Sequence, residues 1–389
     1  MAHTLTAIMP KIITRAQRVL RERCIMPQTV NMDYKTDAKK FGDTIDIEVP
    51  SAVSTSAVVP AAYPTVGSNR TPTTVQIALD QWQKNDPIFL TDQDIIEIDR
   101  RKNFLPPQMA EAIRSLANDV NEHIWSWWYK TGLYVLTGTK VFNDVTTATD
   151  ARKMLNIGVA PKADRWGVLD FTSEANMLAL AEFSDFDKIG EKGPKFEGEI
   201  GRKFGINWVS DDHVPTLDPT AEETGATTVN GAHTAGATIV SVAKAAGTNM
   251  QLQVGDIITF ANDPLPYSVT SADLITQGTN SNVNISPALR VDLTTGAVVD
   301  FPLEGQNGTS LYQCLVFHRD AIAFANRPLV TSSVDGELGN KMIALTDEIS
   351  GLTMRLEVSR QYKQTAWEFD ILWGSNLIRP DNVVRVQGY

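Results

Sequence analysis

The sequence predicts an α+β fold interrupted by an all-β insertion, and three observations carry that expectation. Residues 106 to 130 hold a long apolar stripe at helical spacing. Runs with strand-type alternation lie on both sides of it, at 43–49 and again at 353–373. Between residues 224 and 302 the charge nearly vanishes, with seven charged side chains in the stretch against 21% for the whole chain.

The arm, residues 1–35, contains a short helix over 11–23, with Ile12, Ala16, Val19 and Leu20 on one face. Lys11, Arg15, Arg18, Arg21 and Arg23 oppose only Glu22, so the helix is basic within an acidic chain. It reads either as a solvated face or as an arm that docks on an acidic neighbour or touches nucleic acid. Residues 36–92 read as an extended ribbon. Asp43–Val49 and Thr73–Trp82 alternate, and Pro50–Pro72 between them is rich in Ser, Ala, Val, Thr and Pro. A connection of about 20 residues without a core of its own is uncommon inside a compact domain and usually functional. A ribbon that cannot bury itself invites a neighbour to cover it.

Residues 93–135 hold the spine helix. Pro106 and Pro107 suit its first turn, and Met109, Ile113, Leu116, Val120, Ile124 and Trp127 form its stripe. Glu111, Arg114, Asp119 and Glu122 face the other way, and Gly132 follows its expected end near Lys130. That gives a helix of roughly 37 Å. Trp125, Trp127, Trp128 and Tyr129 read as core packing, because a base-stacking platform needs interleaved basic residues.

Residues 136–223 read as mixed: a helix at Asp150–Leu155, a strand at Trp166–Phe171 and a helix at Ser173–Phe183. The glycines of Gly198–Val209 are expected to allow close backbone approach. Residues 224–305 read as a small barrel or sandwich, from short runs at Thr238–Val242, Asp256–Phe260, Tyr267–Thr270 and Asn282–Ile285. Residues 306–350 resume the mixed domain, with a strand at Leu311–Phe317 and a helix at Arg319–Asn326. Residues 351–389 close the fold with antiparallel strands Thr353–Val358 and Trp367–Trp373, joined through Ser359–Thr365.

A formal net charge of −11 argues against a general nucleic-acid binder. Cys24 and Cys314 are too few and too far apart for a disulfide framework or zinc cluster, and read as buried thiols. Met1–Pro10 is too short and polar for a secretory core, and no run approaches about 18 apolar residues, so synthesis in the cytoplasm and no membrane span are expected. The glycosylation-type triplets at Asn69, Asn284 and Asn307 then read as chance matches. Asp211-Asp212-His213 is the best metal or acid–base candidate, but adjacent residues are expected to point apart. Gly190–Lys195 lacks the full phosphate-loop spacing, and Pro194 removes a donor. Asp92 and Asp94, just before Ile95 and Ile96, read as helix caps. No nucleophile elbow, zincin or zinc-knuckle spacing occurs. The expectation is therefore no enzyme: no catalytic, cofactor-binding or metal-binding residue is assigned, and no cofactor.

The order of parts resembles the major capsid (coat) proteins of tailed bacteriophages with the Hong Kong 97-type fold. Within that group it is most similar to the coat protein of the Salmonella short-tailed phage (P-twenty-two type), which carries an insertion domain. The wording is similar at Gly201-Arg202-Lys203-Phe204-Gly205-Ile206-Asn207-Trp208, Phe317-His318-Arg319-Asp320-Ala321, Gly351–Glu357 and Trp367–Gly374. The resemblance covers essentially the whole chain, and its arrangement is more specific than any single motif. It implies an N-arm, extended loop, peripheral domain with spine helix, and axial domain carrying the insertion. It further implies hexamers and pentamers closing into an icosahedral shell around double-stranded DNA. Scaffolding and portal proteins are the implied partners, with a decoration protein left open, and the virion head is the implied location. The insertion is shorter than in the family, and the long helical N-terminal extension of some relatives is missing, so a separate scaffold is expected. No lysine–asparagine cross-link pair is carried over. Two other classes stay open: another self-assembling phage part, such as a tail tube or decoration protein, and a β-rich ligand-binding module. The spine helix argues against the tube. Tyr267, the one Tyr in a 224–302 stretch without Trp, argues against sugar stacking.

Overall fold

The computed structural model describes residues 5–33, 41–49, 55, 60, 73–100, 106–137, 140–184, 200–219, 226–247, 249–261, 263–303, 310–327, 341–346 and 351–388. Two compact units are built from interleaved stretches of chain. One takes Met1–Val19, Met32–Leu116 and Ala323–Ile378; the other takes Leu20–Asn31, Ala117–Ile322 and Arg379–Tyr389.

The first unit is organised by a mixed-length antiparallel sheet. Its strands run in the order Ile322–Arg327, Gln364–Leu377, Thr353–Gln361 and Lys341–Thr346, and Gln81–Lys84 and Ile88–Thr91 also pair with Gln364–Leu377. Val358 faces Trp367 and Arg355 faces Asp370 across the central pair. Met354, Leu356 and Val358 are buried on one face, as their alternation requires. The expected connection Ser359–Thr365 contracts to a tight turn, with Lys363 at φ 56. A ribbon of two strands, Thr44–Val49 and Thr73–Ala78, forms a separate two-stranded sheet. Ile47, Ile77 and Leu79 at its base pack with Ala323, Ala325 and Leu372. The single strand expected over Thr73–Trp82 is divided at Leu79-Asp80: its first half joins the ribbon and Gln81–Lys84 joins the sheet. Gly374 marks the crossing, since a Cβ there would lie 1.9 Å from the Ala78 carbonyl oxygen. Most of Pro50–Pro72 lies outside the described residues.

The second unit holds an open sheet in the order Leu133–Leu136, Val383–Gly388, Leu311–His318, Arg165–Leu169, Ile206–Ser210, Gly201–Lys203, with Thr216–Leu217 also pairing with Leu311–His318. Two neighbouring pairs are parallel: Val383–Gly388 with Leu133–Leu136, and Arg165–Leu169 with Ile206–Ser210. Helices Val145–Ile157 and Phe171–Ala179 begin at Asp144 and Asp170, whose carboxylates accept first-turn amide hydrogen bonds. Between Thr216–Leu217 and Leu311–His318 the chain makes a closed six-stranded barrel. Its order is Thr227–Val229, Ile239–Lys244, Asn280–Ser286, Asp263–Ala272, Ile257–Phe260 and Val298–Asp300. Val240, Val242, Ile258, Phe260, Tyr267, Val283 and Val299 are among the inward residues of its core.

Three sequence expectations change. The arm helix begins at Leu5 and runs to Arg23. The spine helix covers Pro107–Trp125, 19 residues, or about 28 Å; Ser126 Oγ donates to the His123 carbonyl, and Trp128–Lys130 tightens to a 3-10 turn. The helix expected at Arg319–Asn326 is instead a 3-10 turn, Arg319–Ala321, followed by a strand, Ile322–Arg327. Every residue of that strand is buried, so a run buried on both faces replaces the helical stripe.

Candidate functional site

The chemistry-bearing residues named from sequence are held by the fold as structural ties. Asp211 follows the strand Ile206–Ser210, and its amide donates to the Leu169 carbonyl. The next two residues form a turn that swings His213 back, so the three side chains converge to within 4.8 Å, which their adjacency did not suggest. His213 Nδ1 lies 2.6 Å from Asp212 Oδ1 and 3.3 Å from Asp211 Oδ1. Trp125 Nε1 donates to Asp211 Oδ2 at 2.8 Å, and the His213 amide donates to Oδ1 at 3.3 Å. Burial pushes the Asp211 carboxyl up, against the lowering pull of the Trp125 N–H. Both Asp211 oxygens are engaged by protein donors, and the result is a tie holding the C-terminal turn of the spine helix to this loop.

Thr91 and Asp94 exchange hydrogen bonds, Thr91 Oγ1 donating to Asp94 Oδ2 at 2.7 Å and the Asp94 amide donating back to Oγ1 at 3.3 Å. Thr91 thus caps helix Asp92–Arg100 with Asp94 completing the box. Asp92 is drawn off instead to a paired contact with Arg360. Cys24 and Cys314 are fully buried, and burial pushes both thiols well above the ordinary range. Neither supplies a thiolate nucleophile. Gly190–Lys195 lies outside the described residues. In the hairpin Gly201–Ser210, Gly201 and Gly205 sit at φ 65 and 78 with open space around them. Their role there is left-handed backbone, not the close approach expected from sequence.

A closely constrained place among the described residues of the second unit is the seat of the barrel on the open sheet, which the sequence does not foretell. Leu217, Ile257, Leu303 and Leu311 make its apolar part, with Trp128, Tyr134 and Leu136 against them. Gly255, at φ 98, passes so near Trp128 that a Cβ would lie 2.3 Å from the ring, and a Cβ on Gly132 would lie 2.1 Å from Pro287. Ser286 Oγ donates to the Lys130 carbonyl at 2.6 Å, and Arg290 Nη2 donates to Asp381 Oδ1 at 2.9 Å. At the centre lies Arg385, fully buried, its guanidinium 5.2 Å from the Trp128 ring. Its three nitrogens and Asp256 Oδ1 make no hydrogen bond among the described residues. Burial lowers the Arg385 pKa to about 9, while Asp256 and Tyr134 pull the other way. Burial pushes Asp256 up to about 6, against its hydrogen bond from the Gln253 amide and the field of Arg385. Such a pair is weak as a source of stability, because desolvation offsets the attraction. What it supplies is a fixed position for the barrel: burial opposes both charges, and the field of each offsets only part of that cost in the other.

Among the described residues no helix is long and apolar enough to cross a membrane. No family model matches the chain, and no curated protein matches it. Solved structures are similar over nearly its whole length. A structure from Mycobacterium phage Che8 matches at a TM-score of 0.46 and 13% identity, covering 93% of this chain and 90% of that one. The capsid structure of the cyanophage P-SCSP1u matches at 0.48 and 15%, covering 94% and 88%. The mature capsid of bacteriophage PhiM1 matches at 0.43 and 10%, covering 92% and 87%.

Proposed function

We propose that this chain is the major capsid protein of a tailed bacteriophage, a structural subunit that self-assembles into the icosahedral head around double-stranded DNA. The observation that carries the reading is the order of parts in a doubly interleaved chain. An arm helix, a ribbon forming its own sheet, a long helix, an open mixed sheet interrupted by a closed barrel, and a long returning hairpin follow in that sequence. The described clusters of reactive residues are all engaged in structural ties, which supports a non-enzymatic role. The proposed parts are an N-arm over 1–35, an extended loop over 36–92 and a peripheral domain over 93–135 and 351–389. The axial domain takes 136–223 and 306–350, with the inserted module at 224–305. The kinship proposed is with the coat protein of the Salmonella short-tailed phage, on the motifs quoted from sequence.

Partners under this reading are further copies of the chain in hexamers and pentamers, a scaffolding protein and the portal. The DNA is enclosed without being read, which suits the net charge of −11. The chain is made in the bacterial cytoplasm and ends in the virion. The ribbon is the part expected to lie over a neighbour. Deleting residues 51–70 should leave a monomer with an unchanged circular-dichroism spectrum that no longer forms shells. Shells of normal size and yield from that variant would remove the ribbon from the assembly mechanism.

A further inference from the structure

Helix Val145–Ile157 ends in a loop that holds an apolar residue outward in a strained conformation. The Val159 amide donates to the Asn156 carbonyl at 3.1 Å and the Ala160 amide to the Leu155 carbonyl at 3.0 Å. These are the two bonds of a Schellman turn, and they put Val159 at φ 58. Glycine or asparagine is the ordinary residue at such a helix end, because the left-handed region crowds a Cβ, and a branched one most. The described non-glycine residues at positive φ are Phe142, Val159, Asp164, Phe204 and Lys363, and Val159 alone among them is β-branched. Burial does not offset the strain: Val159 is 84% exposed, and Ile157 beside it is 44% exposed. The loop is tethered from beneath. Gly158 passes so near Asp381 that a Cβ would lie 1.9 Å from its carbonyl oxygen. Buried Arg165 donates through Nε to the Pro161 carbonyl at 2.7 Å, and through Nη2 to the Ala160 carbonyl at 2.7 Å and Asn156 Oδ1 at 2.9 Å. A strained residue persists only where its surroundings over-determine it, and such strain gathers at functional positions.

We infer that Ile157 and Val159 form a rigid apolar knob that packs against a neighbouring copy of this chain, a contact that rests on the assembly reading above and adds a named surface to it. Because the loop is already held in one arrangement, little ordering entropy is lost when a partner covers it. Size and charge favour a second copy as that partner. Two side chains fall far short of the about 1,200 Å² that a stable complex of separate proteins buries, so a protein held only here would not stay bound. Inside a shell the same contact recurs in every copy and acts together with the others, at high effective concentration. Lys162 and Asp164, both exposed, flank the knob with opposite signs. The loop therefore brings no net charge to a contact between copies that each carry −11.

Substitution of Val159 in the full chain separates docking from folding. Asn accepts the left-handed backbone and removes the apolar surface, whereas Leu keeps an apolar surface without the branch at Cβ. The Val159→Asn monomer should unfold at a urea midpoint equal to or above the parent's. Its shell yield with scaffold should nevertheless fall about tenfold, as on loss of an interface anchor. Val159→Leu should assemble at close to the parental yield. Parental yield from Val159→Asn, or a loss of yield matched by a lowered urea midpoint, would overturn the inference. A photoreactive benzoylphenylalanine placed at position 159 then identifies the partner in irradiated shells. A covalent dimer of this chain is the expected product; shells that give no cross-link, or a cross-link to scaffold alone, would overturn the inference and leave the assembly reading intact. A parent chain that forms no shells with scaffold would overturn the assembly reading, and the inference with it.

Discussion

At the residue scale the buried pair Asp256–Arg385 gives the clearest pH signature. Asp256 has an ordinary pKa of 3.8 when exposed and about 6 in the folded protein, so the folded state holds its proton more tightly. Its contribution to stability therefore rises as pH falls through about 6 and levels off below about 3.8. The full difference is about 3 kcal/mol. Urea unfolding followed by a barrel-specific probe should show the second unit more stable at pH 5 than at pH 7. Asp256→Asn should flatten that slope. A slope of opposite sign in the parent chain would mean that attraction to Arg385, and not burial, dominates the site. Below about pH 4 the exposed carboxyls Asp92 and Asp94, held low by hydrogen bonds from Arg360 and Thr91, act in the opposite direction. None of this pair was legible in the sequence. Arg385 interrupts the apolar residues Val383, Val384 and Val386, and Asp256 reads as an ordinary turn acid before Ile257. Their meeting depends on where the barrel sits, which local pattern does not specify. Asp211 and His213 were visible as a cluster, but the turn that brings them together, and the Trp125 donor 86 positions away, were not.

Elements were legible where one face meets water and illegible where both are covered. The ribbon strand Thr44–Val49 and the stripe Met109, Ile113, Leu116, Val120 and Ile124 were readable because their polar and apolar faces alternate at different periods. Four of the six barrel strands are legible to within a few residues of their ends, from short β-type runs separated by turn residues, while the three-residue strands Thr227–Val229 and Val298–Asp300 are too short to show an alternation. Ile322–Arg327, buried throughout, gives no period to read, and the sequence expectation there is a helix. Val383–Gly388, equally buried, is no more legible; Lys341–Thr346, exposed or half-buried throughout, is the exception to the rule. The spine helix was overextended because Trp127 keeps the stripe while the backbone has already left it. The seat of the barrel is the element-level feature most open to test. Gly231→Ala, at φ 83 with nothing nearby, should cost about 1 kcal/mol from backbone strain alone. Gly255→Ala adds a collision with Trp128 and should cost about 1–3 kcal/mol more. Equal losses from the two in chemical denaturation would show that the barrel does not bear on Trp128 in solution.

At the scale of the whole molecule, the proposed assembly turns on the ribbon. The ribbon contributes a base to the first unit's core through Ile47, Ile77 and Leu79, while Thr44, Asp46 and Glu48 remain exposed. The barrel inserted in the second unit closes on itself and leaves no edge. A chain with a closed insertion and a ribbon that forms a sheet of its own keeps the ribbon, on the proposed reading, as the part that lies over a neighbouring copy. The most direct measurement is negative-stain electron microscopy of the protein expressed with its neighbouring genes. Closed shells, or hexameric and pentameric rings where closure fails, are the expected result. Tubes would move the protein to a tail structure, and a monodisperse monomer at high concentration with scaffold present would contradict the capsid assignment outright.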